Sequence, residues 1–144
     1  MNSSNTNEGG WKNSEIRTYV NNDVCNALPS DLQTVIKTVN KVSDIGNKDT
    51  TTLNITEDKL FLLSFEEVGF TTSNNPYFIA GQGTKYDCFT DDASRVKSYL
   101  SGGTARWWLR STSNDSNFYY IHDNGKTYRR NAHLPCGIIF GFCI

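Results

Sequence analysis

Residues 117–130 read NFYYIHDNGKTYRR. Asp123, Asn124 and Gly125 are residues that a turn with positive φ requires, and strand-forming side chains flank them, so the stretch is expected to be a β-hairpin. ARWWLRST (105–112) precedes it, a strand in which Trp107 and Trp108 should point to opposite sides. GIIFGFCI (137–144) follows, almost purely apolar, and is expected as the final and central strand. The N-terminal half carries helical signals instead. Asn13 or Ser14 is placed to cap a short helix bearing Ile16, Tyr19 and Val20. Ser30 and Gln33 form a capping-box pair behind Pro29, and Leu32, Val35, Ile36 and Val39 recur at helical spacing. Helices come first and antiparallel strands last, which predicts an α+β domain with N-terminal helices packed on a small, mostly antiparallel sheet with long loops.

Between these ends the reading is coarser. SDIGNKDTTTLNITED (43–58) is a loop with a short edge strand at TTLNIT. KLFLLS (59–64) is a buried strand, and Ser64 with Glu67 makes another capping box. DASRVKSYL (92–100) is a short helix, with Asp91, Asp92 and Ser94 as cap and acidic first turn, closed by SGG.

The chain has 144 residues and a formal net charge of −1. That size supports one domain with its own core. The charge supplies no footprint for nucleic acid or an anionic membrane. No apolar run approaches the ~20 residues of a membrane-spanning helix. MNSSNTNEGG (1–10) has neither the basic nor the apolar region of a signal peptide and is expected to be a flexible lead, with the domain occupying 11–144.

No residue pattern calls for a cofactor or metal. Cys25, Cys88, Cys136 and Cys143 form no CxxC pair, so free buried thiols are expected, with a disulfide as the alternative. His122 and His133 lack carboxylate or cysteine neighbours at ligand spacing and read as surface histidines. Asp91 and Asp92 do not match a calcium loop. Cys136 and Cys143 are the only enzymatic candidates, and no base or nucleophile elbow accompanies them, so the expectation is a non-enzyme. Arg110 reads as a structural arginine that ties loop carbonyls together.

Composition changes at Ser111. From there to Ile144 only Lys126 belongs to the set Lys, Glu, Gln, Met and Trp, which the rest of the chain uses freely. These are the types that an AAC codon cannot reach when both adenines are randomised. Adenine-directed diversification would leave that bias; the aversion of a hairpin for Lys and Glu is the plainer explanation.

GGWKNSEIRTYVNN, LPSDLQTVIKTVNKVS, DKLFLLSFEEVG, WWLRS and GIIFGFCI together resemble, in order, an uncharacterised domain family of bacterial and phage proteins. That family is marked by a Trp-Trp-Leu-Arg-Ser motif and a Gly-Val-x-Phe-Gly-Phe-Cys ending, with Ile138 here in place of the Val. The resemblance implies a C-type-lectin-like fold and a kinship with the variable proteins of diversity-generating retroelements. It implies a receptor-binding or adhesin domain on a phage tail or bacterial cell surface, within a larger fibre or oligomer, whose partner is a cell-surface protein or glycan. Trp107, Trp108, Leu109, Phe118, Ile121, Ile138, Ile139, Phe140 and Phe142 would be scaffold. The ligand-binding residues would be Asp115, Asn117, Tyr119, His122, Asp123, Asn124, Tyr128, Arg129, Arg130, Asn131, His133, Leu134 and Pro135. Tyr, Asn and Arg suit such a surface, giving rigid contact area and adaptable hydrogen bonds. The alternative is a structural virion protein with no diversified binding.

Overall fold

A computed structural model describes residues 1–74, 78–113 and 116–144. It is mixed α and β. Short helices occupy the N-terminal quarter: α1 (Gly10–Asn13), α2 (Glu15–Tyr19), a π-helical turn (Val20–Val24), α3 (Cys25–Ala27) and α4 (Ser30–Val35). A single further helix, α5 (Asp92–Arg95), follows among the described residues. Four small antiparallel sheets complete them among the described residues. They are β1 (Val39–Asp44) with β2 (Leu53–Asp58), β3 (Phe61–Leu62) with β9 (Phe140–Gly141), β4 (Lys97–Ser98) with β5 (Thr104–Ala105), and the three-stranded β6 (Trp107–Thr112), β7 (Asn117–Ile121), β8 (Thr127–Asn131).

Several local signals act as the residue types dictate. The Ser14 side chain accepts from the Arg17 amide and starts α2. Asp91 and Ser94 exchange side chain-to-backbone bonds and start α5. Ser64 and Glu67 do the same around a turn, at 2.9 and 3.1 Å. The other capping pair fails. Gln33 sends its amide to the carbonyls of Asn26 and Leu28 instead, and α4 has no side-chain cap. That helix also ends at Val35, earlier than the apolar spacing predicts. Val39 enters a strand whose β-branched residues pair with the LNITED segment, so tertiary pairing overrides a helical pattern. The helix expected over 92–100 likewise stops at Arg95; Lys97–Ser98 turn back through the glycines and pair with Thr104–Ala105.

The core is aromatic. Trp107 and Trp108 are both buried along with every other β6 residue, Trp107 beside Phe89 and Trp108 beside Phe118 and Tyr120. Phe65 packs at a tilt against Phe70, Phe78 and Tyr119 with centroids 4.6–5.1 Å apart. Trp11 is fully buried and its indole N–H donates to Asp58 at 2.9 Å. Around β6 lies a buried polar lattice. Arg110 donates to the carbonyls of Val42, Leu62 and Gln82 and pairs with Glu67, which also binds Lys41. Asp44 accepts from the Thr112 amide and the Gln82 side chain, and Ser111 donates to Gln82. Arg110 thus ties three strand and loop ends to the sheet.

Two expectations are corrected. The first ten residues are not a free lead. The Met1 ammonium donates to the Ala132 carbonyl at 2.8 Å, the Asn2 amide reaches the same oxygen, and buried Asn7 donates to the Asn117 carbonyl at 2.9 Å. Short polar side chains that satisfy strand-end carbonyls make this segment a strap. Nor is the apolar tail the central strand. In the three-stranded sheet that place belongs to β7, between β6 and β8, and the outer edge of β6 is met by Leu63 and Gly137 through the Arg110 and Trp108 amides. The tail touches β6 only at Gly137, then crosses to β3 for two residues and ends against Lys37. Gly141 packs so close to Phe61 that a Cβ would sit 2.9 Å from the ring. Ile138, Ile139 and Phe140 are partly buried against the core, but Phe142 is exposed and is not scaffold.

Candidate functional site

The candidate surface is the β7–β8 hairpin with the loop that follows it. Its turn closes through the His122 and Lys126 main chain and through the Gly125 amide on the His122 carbonyl. Gly125 has φ 78°, and a Cβ there would collide with the Asp92 carbonyl. Glycine is therefore needed both for the backbone angle and for docking the turn on α5.

Register sorts the expected binding residues onto two faces. Asn117 pairs with Asn131, Tyr119 with Arg129 and Ile121 with Thr127; Phe118 pairs with Arg130 and Tyr120 with Tyr128. Side chains alternate, so Asn117, Tyr119, Arg129 and Asn131 share one face while Tyr128 and Arg130 share the other with Tyr120. Tyr119 is 1% exposed and packs on Phe65, so it belongs to the core and not to a binding surface. It lies between Phe118 and Tyr120 on a strand buried on both faces, and its type gave no composition signal, because Tyr suits core and surface alike. Asn117, His122, Asp123, Arg130 and Asn131 are half-buried; Asn124, Tyr128, Arg129, His133, Leu134 and Pro135 are exposed. Asp115 lies outside the described residues.

The second face carries a continuous aromatic ladder. Trp108 meets Phe118 and Tyr120 edge-on, Tyr120 lies 6.2 Å from Tyr128, and His122 lies 5.2 Å from Tyr128. The ladder runs from a buried rung at Trp108 to an open one at Tyr128, which is 46% exposed. Tyr120 is a component that the sequence reading missed; its pairing with Tyr128 in the hairpin register is the signal that finds it. The Arg130 guanidinium sits 5.9 Å over the Tyr120 ring. Its Nε is buried and has no hydrogen-bond partner. Arg106 reaches Asp123 at 3.6 Å, and His122 Nδ1 contacts the other Asp123 oxygen.

Cys136 lies beside this face. Burial pushes its thiol up to about 11, against the positive charges of Arg130, the Met1 ammonium and Arg106. A thiol so protonated is a poor nucleophile at neutral pH. Cys25, Cys88, Cys136 and Cys143 are free, and Cys88 and Cys143 are exposed, contrary to the expectation that all four thiols are buried. Among the described residues no group of three His, Cys, Asp or Glu side chains is arranged to hold a metal ion, and no helix is long and apolar enough to cross a membrane. A separate cleft of about 410 Å³ is lined by Glu8, Lys12, Asn13, Asn47, Thr52 and Asn54, among others, away from the hairpin residues.

A family profile described as a domain of unknown function (DUF6273) matches residues 1–144. No curated protein and no solved structure matches the chain.

Proposed function

The chain belongs to the DUF6273 family, a domain of unknown function, and from that premise we propose that it is a non-enzymatic, C-type-lectin-like ligand-binding domain of a phage or bacterial surface protein, diversified in its C-terminal segment by a retroelement. The binding surface is the hairpin and the loop through Pro135. One observation carries this reading. Within the segment of biased composition, Phe118–Ile121 of β7 are all buried, whereas Asn124 in the turn, Tyr128 and Arg129 on β8, and His133, Leu134 and Pro135 in the following loop are exposed. A rigid sheet thereby presents adaptable and aromatic side chains, the division of labour a diversified paratope needs. The raised Cys136 pKa supports binding over cysteine chemistry.

The test is genetic. A near-copy of the segment encoding Ser111–Ile144, differing at adenines and adjoining a reverse transcriptase gene, is the expected neighbour in the source genome. A locus with tail or capsid genes and no such copy would replace diversified binding with the structural virion reading. Exposed Phe142, Ile144 and Ile55 are the observation that favours that second reading, as apolar surface an assembly would cover. It predicts stable self-association of the purified chain, measurable by light scattering.

A further inference from the structure

We propose that the aromatic face of the hairpin takes a saccharide bearing a carboxylate, with Arg130 as the carboxylate's partner and Tyr128 as the stacking platform. The inference rests on the ligand-binding reading and names its ligand class. Its first support is Arg130. The side chain is half-buried, its Nε is shielded from water, and no described acidic group pairs with it or with any of its nitrogens. A guanidinium with no acceptor beside it is open to a carboxylate, which its two outer nitrogens can hold by parallel bonds while the Nε stays shielded. Asp123, the nearby acid, is engaged by Arg106 and leaves Arg130 unanswered. The described charges around this face, Arg106 and Arg130 against Asp123, favour an anion.

The second support is the ladder. Tyr128 offers an open ring whose neighbours Tyr120 and His122 lie 6.2 and 5.2 Å away. A flat aromatic surface edged by hydroxyl and imidazole groups complements a sugar ring, which has apolar C–H faces and polar rims. Arg130 lies two residues along the same strand face from Tyr128, over Tyr120. A ring lying on Tyr128 therefore has a cation beside its edge, where the carboxylate of a uronate or sialate projects.

The experiment titrates the full chain with oligogalacturonate and sialyllactose, beside their neutral counterparts, methyl-esterified oligogalacturonate and lactose. The expected result is tighter binding of an acidic saccharide than of its neutral partner, by on the order of tenfold or more. Arg130→Gln should erase that preference, Arg130→Lys should restore part of it, and Tyr128→Ala should weaken acidic and neutral forms together. Melting temperatures of the three variants show that each is folded. Equal binding of acid and neutral forms, or a preference that survives Arg130→Gln, overturns the carboxylate assignment and leaves a ligand-binding surface standing. Binding of polyglutamate with no saccharide bound also overturns it, in favour of an acidic polypeptide. The absence of any binding overturns it too, and the diversity locus then decides the wider reading separately.

Discussion

Glu67 and Tyr119 show how single buried groups hold the scaffold. Burial alone would push the Glu67 carboxyl up, but Arg110 and Lys41 outweigh it and hold the group below its usual value. The unfolded glutamate then binds more protons in the acid range. This contribution is fully present above about pH 4.3 and is lost as pH falls through the folded value. Glu67→Gln leaves Arg110 buried without its counter-charge and should cost about 3–5 kcal/mol. It should also flatten the acid limb of stability against pH, as read from urea unfolding at several pH values; an acid limb as steep as the parent's would refute the assignment. Tyr119 poses the opposite case. Its hydroxyl is buried and faces Ser113 without closing a hydrogen bond. Tyr119→Phe should therefore be neutral or stabilising by up to about 1 kcal/mol, whereas Tyr119→Ala empties the contact with Phe65 and should cost about 3–5 kcal/mol. A Phe variant that loses more than ~1 kcal/mol would reveal an unseen partner for the hydroxyl.

The β7–β8 hairpin tests how far local chemistry controls an element. Gly125 sits at φ 78° against the Asp92 carbonyl, so Gly125→Ala meets both backbone strain and a collision. It should cost about 1–3 kcal/mol, and unchanged thermal unfolding would place the turn elsewhere. This hairpin was legible in sequence because Asp-Asn-Gly dictates its turn. So were Ser14, Ser64 and Asp91, since a capping side chain acts within three residues. What was not legible was decided at a distance. Val39 looked like the end of a helix and Ser43–Asp44 like the start of a loop, and the strand Val39–Asp44 exists because Leu53–Asp58 is there to pair with it. GIIFGFCI looked central because it is apolar, but it meets the edge of β6 at its first residue, Gly137, beside Leu63, and then leaves to pair with β3. The candidate site was legible as a segment, not as a face: alternation in register put Tyr119 inside and brought Tyr120 under Tyr128.

At the scale of the whole molecule, short elements are held together by side chains that each satisfy several backbones. Arg110 serves three carbonyls, Asn21 links α2 to the β2–β3 turn, and the N-terminal strap closes the far ends of β7 and β8. None of these ties uses the exposed side chains of Arg129, His133 and Leu134. Stability and display are thereby separated, and the separation is measurable. The triple variant Arg129→Ala, His133→Ala, Leu134→Ala should change the unfolding free energy by no more than about 0.5 kcal/mol per site. Its unfolding should stay as cooperative as the parent's, with the same denaturant slope, because the surface buried on folding is unchanged. A loss comparable to that of Tyr119→Ala would mean that the loop after β8 is part of the core packing. A fold that depends on those side chains has no freedom to vary them, and the proposal of a diversified surface would fail with it.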